Sequence, residues 1–172
     1  MFIKSFFTFF VFLSCLLSFT CASHGVRRFE VDQKDKFQNC QLSFKDCGSK
    51  SGSLKSATYN GTCNSGIAVL KRGTIVSIDF SFISNQVEDT LKSIVHGKIS
   101  DLPFVPFPLD NPDACKDSGL TCPIKNGVQL DYLPVLNVLS TYPSVNVIVK
   151  WELQNKAGDD VFCALIPATI TS

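Results

Sequence analysis

The sequence is poor in the groups that do chemistry. It has two histidines in 172 residues. His24 stands beside a candidate cleavage site. His96 falls on the polar side of an alternating segment, the place of a solvated side chain rather than a general base. Gly48-Ser49-Lys50-Ser51-Gly52 puts lysine where a nucleophile elbow needs its serine, and no H-E-x-x-H, P-loop or G-x-G-x-x-G occurs. These absences argue against an enzyme, and no cofactor is implied. Charge of one sign is missing as well. Sixteen Lys and Arg face fifteen Asp and Glu, and one of the cations, Lys4, lies in the leading segment. The remaining chain is neutral, which excludes nucleic acid as a partner and a polybasic hold on membranes.

Phenylalanine and cysteine are plentiful by contrast. Seven of the fifteen Phe precede Ala22, within an apolar run from Phe6 to Leu17 that follows Lys4. Twelve helical residues rise about 18 Å, short of the roughly 30 Å of a bilayer core. With small residues at Cys21-Ala22-Ser23, residues 1–23 read as a signal peptide. The mature chain is then secreted or lumenal. Six cysteines stay with it, an even number that in an oxidising compartment reads as three disulfides. C-x₂-C and H-x₃₋₅-H pairs are absent, so no metal site is expected. Asn60-Gly61-Thr62 is an N-glycosylation sequon, which makes Asn60 the candidate glycan acceptor.

Residues 24–43 are charged and pattern-poor and read as an N-terminal extension, with an edge strand near Cys40. From Phe44 to the end, 44–172, the period is two. Val76, Ile78, Phe80 and Phe82 alternate with Ser77, Asp79 and Ser81. Leu91, Val95 and Ile99 form another face, Val145 to Leu153 a third, and Phe162 to Ile170 a fourth. Shorter strands are expected at 54–59, 67–71 and 128–132. Such alternation means strands with one buried face, and seven or eight of them predict an all-β sandwich of two antiparallel sheets. Residues 102–109 are apolar, but Pro103, Pro106 and Pro108 deny them a central strand. They either cap the sandwich or rim an apolar cleft. Periodicity does not distinguish a filled interior from a hollow one.

Several motifs in order bear on that choice. Phe44-Lys45-Asp46-Cys47-Gly48-Ser49, Val95-His96-Gly97, Val105-Pro106-Phe107-Pro108, Cys115, Cys122-Pro123-Ile124, Tyr142-Pro143-Ser144, Trp151-Glu152-Leu153-Gln154 and Phe162-Cys163 together resemble the Niemann–Pick type C2 branch of the ML lipid-recognition family. The resemblance implies an immunoglobulin-like β-sandwich with an internal lipid cavity that binds a sterol and hands it on without making or breaking a bond. It assigns Phe107, Val138 and Tyr142 to gating and contacting the sterol, and Val76, Ile78, Phe80, Val95 and Trp151 to lining. The matched cysteines imply Cys47–Cys163 and Cys115–Cys122, and with them Cys40–Cys63.

The implied partners are a sterol or other apolar lipid, membranes in transient contact, and a membrane sterol-transporter receptor. The implied place is the endosome–lysosome lumen or the secreted fluid. The segment from His96 to Leu102 is longer and more polar than its counterpart in the family, and Ala164 stands where vertebrate members carry tryptophan, which implies a wider cavity. The alternative on the same fold is a secreted ML module that binds fatty acids, glycolipids or semiochemicals in immune or chemosensory recognition.

Overall fold

A computed structural model describes residues 39–172, which form twelve β-strands and no helix. The expected signal peptide, 1–23, and the expected extension as far as residue 38 lie outside the described residues. Eight strands follow the expected runs closely: β1 (Cys40–Gln41), β3 (Gly52–Tyr59), β5 (Ile67–Lys71), β6 (Thr74–Ser84), β7 (Leu91–Lys98), β9 (Gln129–Tyr132), β11 (Asn146–Asn155) and β12 (Asp160–Thr171). Four were not foreseen, β2 (Lys45–Asp46), β4 (Cys63–Asn64), β8 (Val105–Phe107) and β10 (Val135–Val138).

One sheet has the order β1-β3-β6-β10, with β9 also paired to β6. The other runs β4-β5-β12-β11-β7-β8, with β2 on β12. Every ladder is antiparallel except β5 on β12, which is parallel. The expected sandwich is present with that one exception. It arises because β5 enters its sheet beside the last strand and then leaves for the opposite sheet through the turn at Arg72-Gly73. Gly73 has φ 74° there, a left-handed conformation that a side chain would penalise.

Two expectations are corrected. The packed domain does not begin at Phe44, since Cys40 and Leu42 are buried in its core and Leu42 N–H donates to Ala57 O at 2.8 Å. The proline-rich segment does join a sheet. Val105, Pro106 and Phe107 pair with Gly97, His96 and Val95. Strand β8 lies at the edge, where a proline has no neighbour waiting for its missing N–H.

Bulky rings fill one half of the interior. Phe80 lies 5.1 Å from Trp151 and 5.3 Å from Phe162, and Phe82 lies 5.5 Å from Phe162, centroid to centroid. The Trp151 indole N–H donates to Ser93 Oγ at 3.2 Å, and Ser93 and Tyr132 share a hydrogen bond at 2.6 Å. Burial pushes the Tyr132 phenol up to about 12, so it stays protonated and the buried polar chain stays satisfied.

The six cysteines of the described residues pair as Cys40–Cys63, Cys47–Cys163 and Cys115–Cys122, the set that the resemblance implies. The first links β1 of one sheet to β4 of the other. Asn60 is exposed in the turn after β3, where its Oδ1 accepts from Ser77 N–H at 3.3 Å.

Candidate functional site

The inward side chains change size along the strands. At one end they are Leu91, Ser93, Leu153 and Phe162. One layer on come Val95, Trp151 and Ala164, in register across β7, β11 and β12. The next layer has Gly97 beside Val149, and beyond it lies Val147. Rings give way to valine and then to glycine, and the sheets do not close over the space that this leaves. A cavity of about 580 Å³ occupies that end.

One wall consists of Val95 and Gly97 of β7 with Val147 and Val149 of β11. Leu70 of β5 and Ile170 of β12 close the back, and Leu136 and Val138 of β10 face them from the other sheet. The rim is the segment Leu102–Pro108 on one side and Tyr142-Pro143 on the other. At the mouth the Phe107 and Tyr142 rings stand 5.4 Å apart, tilted by 56°. Both are half-buried, and burial raises the Tyr142 phenol above its ordinary value. None of the lining residues is Lys, Arg, Asp or Glu.

Of the eight residues expected around a ligand, the structure puts Phe107, Val138, Tyr142 and Val95 on the cavity. Val76, Ile78, Phe80 and Trp151 do not line it. They are buried in the packed core, because alternation marks which side chains point inward without marking the depth at which packing stops. Ala164 is likewise fully buried beside Trp151 and does not border the cavity.

The wall residues missed were Leu70, Gly97, Leu136, Val147, Val149 and Ile170. Val147, Val149 and Ile170 sit in alternations read as inward and Leu70 in an expected strand, whereas Leu136 lies in a stretch given no strand. Gly97 carries no hydropathy signal at all, although only its lack of a side chain keeps that layer open.

His96 is not on a solvated face. Its side chain is 27% exposed, with Nδ1 3.4 Å from Glu152 Oε2, while Lys150 Nζ donates to Glu152 Oε1 at 2.8 Å. Among the described residues one group has metal-ligand spacing, Glu152 with Asp160 and Cys163. The Cys163 sulfur is already bonded to Cys47, which removes it as a ligand. The cavity thus offers a greasy surface with two aromatic rings at its mouth.

Comparison with known proteins bears on the same region. The family described as "ML domain" matches residues 41–170. The chain is 45% identical over 131 residues to the NPC intracellular cholesterol transporter 2 homolog a of Drosophila melanogaster, across 75% of this chain and 87% of that protein. It is 48% identical over 128 residues to the ecdysteroid-regulated 16 kDa protein of Manduca sexta, across 74% and 87%. Among solved structures it is similar to a Niemann–Pick type C2 protein from Japanese carpenter ant. There the TM-score is 0.70 at 27% identity, covering 76% of this chain and all of that one.

Proposed function

The chain belongs to the ML domain family and is of its Niemann–Pick type C2 kind, and on that premise we infer that the hollow between its sheets carries a sterol from one membrane to another. The protein binds and transfers its ligand without catalysis. The supporting observation is the apolar cavity of about 580 Å³ ending at the Phe107–Tyr142 pair. A sterol offers several hundred Å² of apolar surface, so at about 25 cal/mol per Å² its burial contributes on the order of 10 kcal/mol gross. Lost freedom on association and the equally greasy bilayer reduce that to a reversible affinity.

The lining selects among lipids, because it holds no Lys, Arg, Asp or Glu and His96 is its one basic side chain. A fatty-acid carboxylate drawn inside would meet no Lys or Arg to replace its lost hydration. A sterol has one small hydroxyl, which stays at the mouth near water. Phe107, Val138, Tyr142 and Val95 touch the ligand in this reading.

The rim suits brief contact with a bilayer. Leu102 is 60% exposed, Val105 57% and, on the opposite lip, Leu139 42%. Lys98 Nζ sits 5.8 Å from the Phe104 ring centroid, a cation held at the edge of an apolar patch. The three disulfides and the Asn60 sequon favour the secretory route, and in this reading the protein delivers sterol in the endosome–lysosome lumen to a membrane sterol transporter.

Val138→Phe tests the reading. The ring fills the slot, and saturable binding of labelled cholesterol is lost while the circular dichroism spectrum stays that of the parent. Parental binding by this variant would remove the assignment. Native mass spectrometry of the purified protein identifies the lipid it retains.

A further inference from the structure

The two sides of the mouth are anchored differently. Phe107 sits in β8, which is laced to β7 at three residue pairs. Tyr142 sits in the segment that joins β10 to β11, and that segment is tied at its ends. Gly73 N–H donates to Val138 O at 2.6 Å just before it, and Ile170 N–H donates to Val145 O at 2.9 Å as it closes. Between those points Tyr142 N–H turns back on Leu139 O at 3.2 Å, within the segment itself. Among the described hydrogen bonds, one joins residues 140–144 to another element: the Arg72 guanidinium donates from Nη1 to Tyr142 O at 3.2 Å.

Arg72 is well placed to bear that load. Its own N–H donates to Thr171 O at 2.9 Å, which fixes the turn to the end of β12. Thr74 Oγ1 donates to Lys71 O at 2.6 Å, which closes the same turn. The guanidinium therefore reaches the mouth from a backbone held on both sides. A charge-assisted bond to a carbonyl is about twice as strong as a neutral one, and Arg72 is half-buried, which limits competition from water.

We propose that Arg72 is the latch of the cavity, a positioning residue that sets how fast a lipid enters and leaves by holding the Tyr142 backbone against the end of the sandwich. This rests on the carrier reading above. With the Tyr142 backbone held, the mouth opens through the Phe107 and Tyr142 side chains alone. Without the bond the whole segment swings out. A latch lowers entry and exit rates together, because it acts on the barrier and touches no ligand, and affinity stays where it was.

The test uses the mature protein loaded with a fluorescent sterol. Release into cyclodextrin with no membrane present removes any role of Arg72 in docking. Arg72→Met should exchange sterol about tenfold faster, the order expected for one lost bond to a charged donor, at parental affinity. Arg72→Lys, which keeps a donor of similar reach, should restore most of the slow rate. Lys71→Ala, which removes the neighbouring charge and no such bond, should behave as the parent.

In the unloaded protein, amide hydrogen exchange over residues 139–145 should rise in Arg72→Met while β11 and β12 stay protected, which also establishes that the variant is folded. Parental exchange in that segment would refute the tie itself, whatever the ligand. Parental sterol release from Arg72→Met, or equal acceleration by Lys71→Ala, would refute the latch. A parent protein that takes up no sterol removes the carrier reading and the latch with it, a result distinguishable from the other two.

Discussion

Gly97 separates the stability of this domain from its function. It lies on β7 opposite Val149 and Val105 and borders the cavity. A Cβ built there meets Val147 Cγ2 at 3.6 Å, ordinary contact, so Gly97→Ala fits without displacing anything. A glycine inside a strand costs roughly 0.5–1 kcal/mol relative to alanine, and Gly97→Ala should recover that. Gly97→Leu goes further, since its methyl groups project into space that no other side chain fills. Counting a partly buried leucine with the backbone gain, the variant should be stabler by about 2 kcal/mol. For a domain of this size that raises Tm by about 5–10 °C.

The same atoms occupy the ligand's place. Forcing a rigid guest against them costs about 1–3 kcal/mol, or about 10–100-fold in affinity. Differential scanning fluorimetry and titration with a fluorescent sterol read both quantities on one preparation. A Gly97→Leu protein with lower Tm and unchanged sterol affinity would mean that position 97 does not face the hollow. The layered account of the interior would then be wrong.

Two other expectations concern stability. Replacing both cysteines of Cys47–Cys163, which are 116 residues apart, should cost about 5 kcal/mol, against about 2.5 kcal/mol for Cys115–Cys122, seven apart, on the loop-entropy relation; urea unfolding of the two double-serine variants in oxidising buffer gives the ordering, and a reversed order would refute that reasoning. Asp79 is held above its ordinary value of 3.8 by burial and then by the Asp131 charge, and its Oδ1 lacks a partner among the described residues. The folded protein therefore binds this proton more tightly than the unfolded chain. Its charged form weakens the fold at neutral pH, and that penalty disappears as pH falls through the folded pKa. Asp79→Asn should raise Tm at about pH 7 and match the parent in acid; a variant with unchanged or lower Tm at neutral pH would contradict the sign.

Most of the fold is legible in the chain because alternation is a local signal. The run from Ile67 to Lys71 coincides with β5, and the alternations around Phe80, Val149 and Ile166 each became a long strand. The failures share a cause. Whether Pro106 can sit in a sheet depends on whether its strand has one neighbour or two, and that is decided by residues far away in sequence. Val76 and Val149 read alike, both apolar in an alternating strand, yet one packs in the core and the other borders a void. The difference lies in what stands opposite each, which periodicity cannot express. Gly97 was invisible because its contribution is an absence of atoms.

That absence has to be sustained by the rest of the molecule. Unfilled apolar volume is destabilising, and 580 Å³ at the coefficient measured for engineered cavities amounts to on the order of 10 kcal/mol. This is as large as the whole stability of a typical domain. A sealed, dry hollow of this size would leave little to hold the fold. The structure responds in two ways. The cavity opens at the Phe107–Tyr142 rim, so solvent or a lipid tail relieves part of the loss.

The other half of the sandwich carries the compensating elements. Phe80, Phe82, Trp151 and Phe162 are packed there ring on ring, and Cys47–Cys163 closes its longest loop. Because the wall is intrinsically underpacked, a ligand that fills it stabilises the folded state by mass action. The empty protein is thereby driven to collect a guest, while the ring-filled half keeps it folded between one cargo and the next.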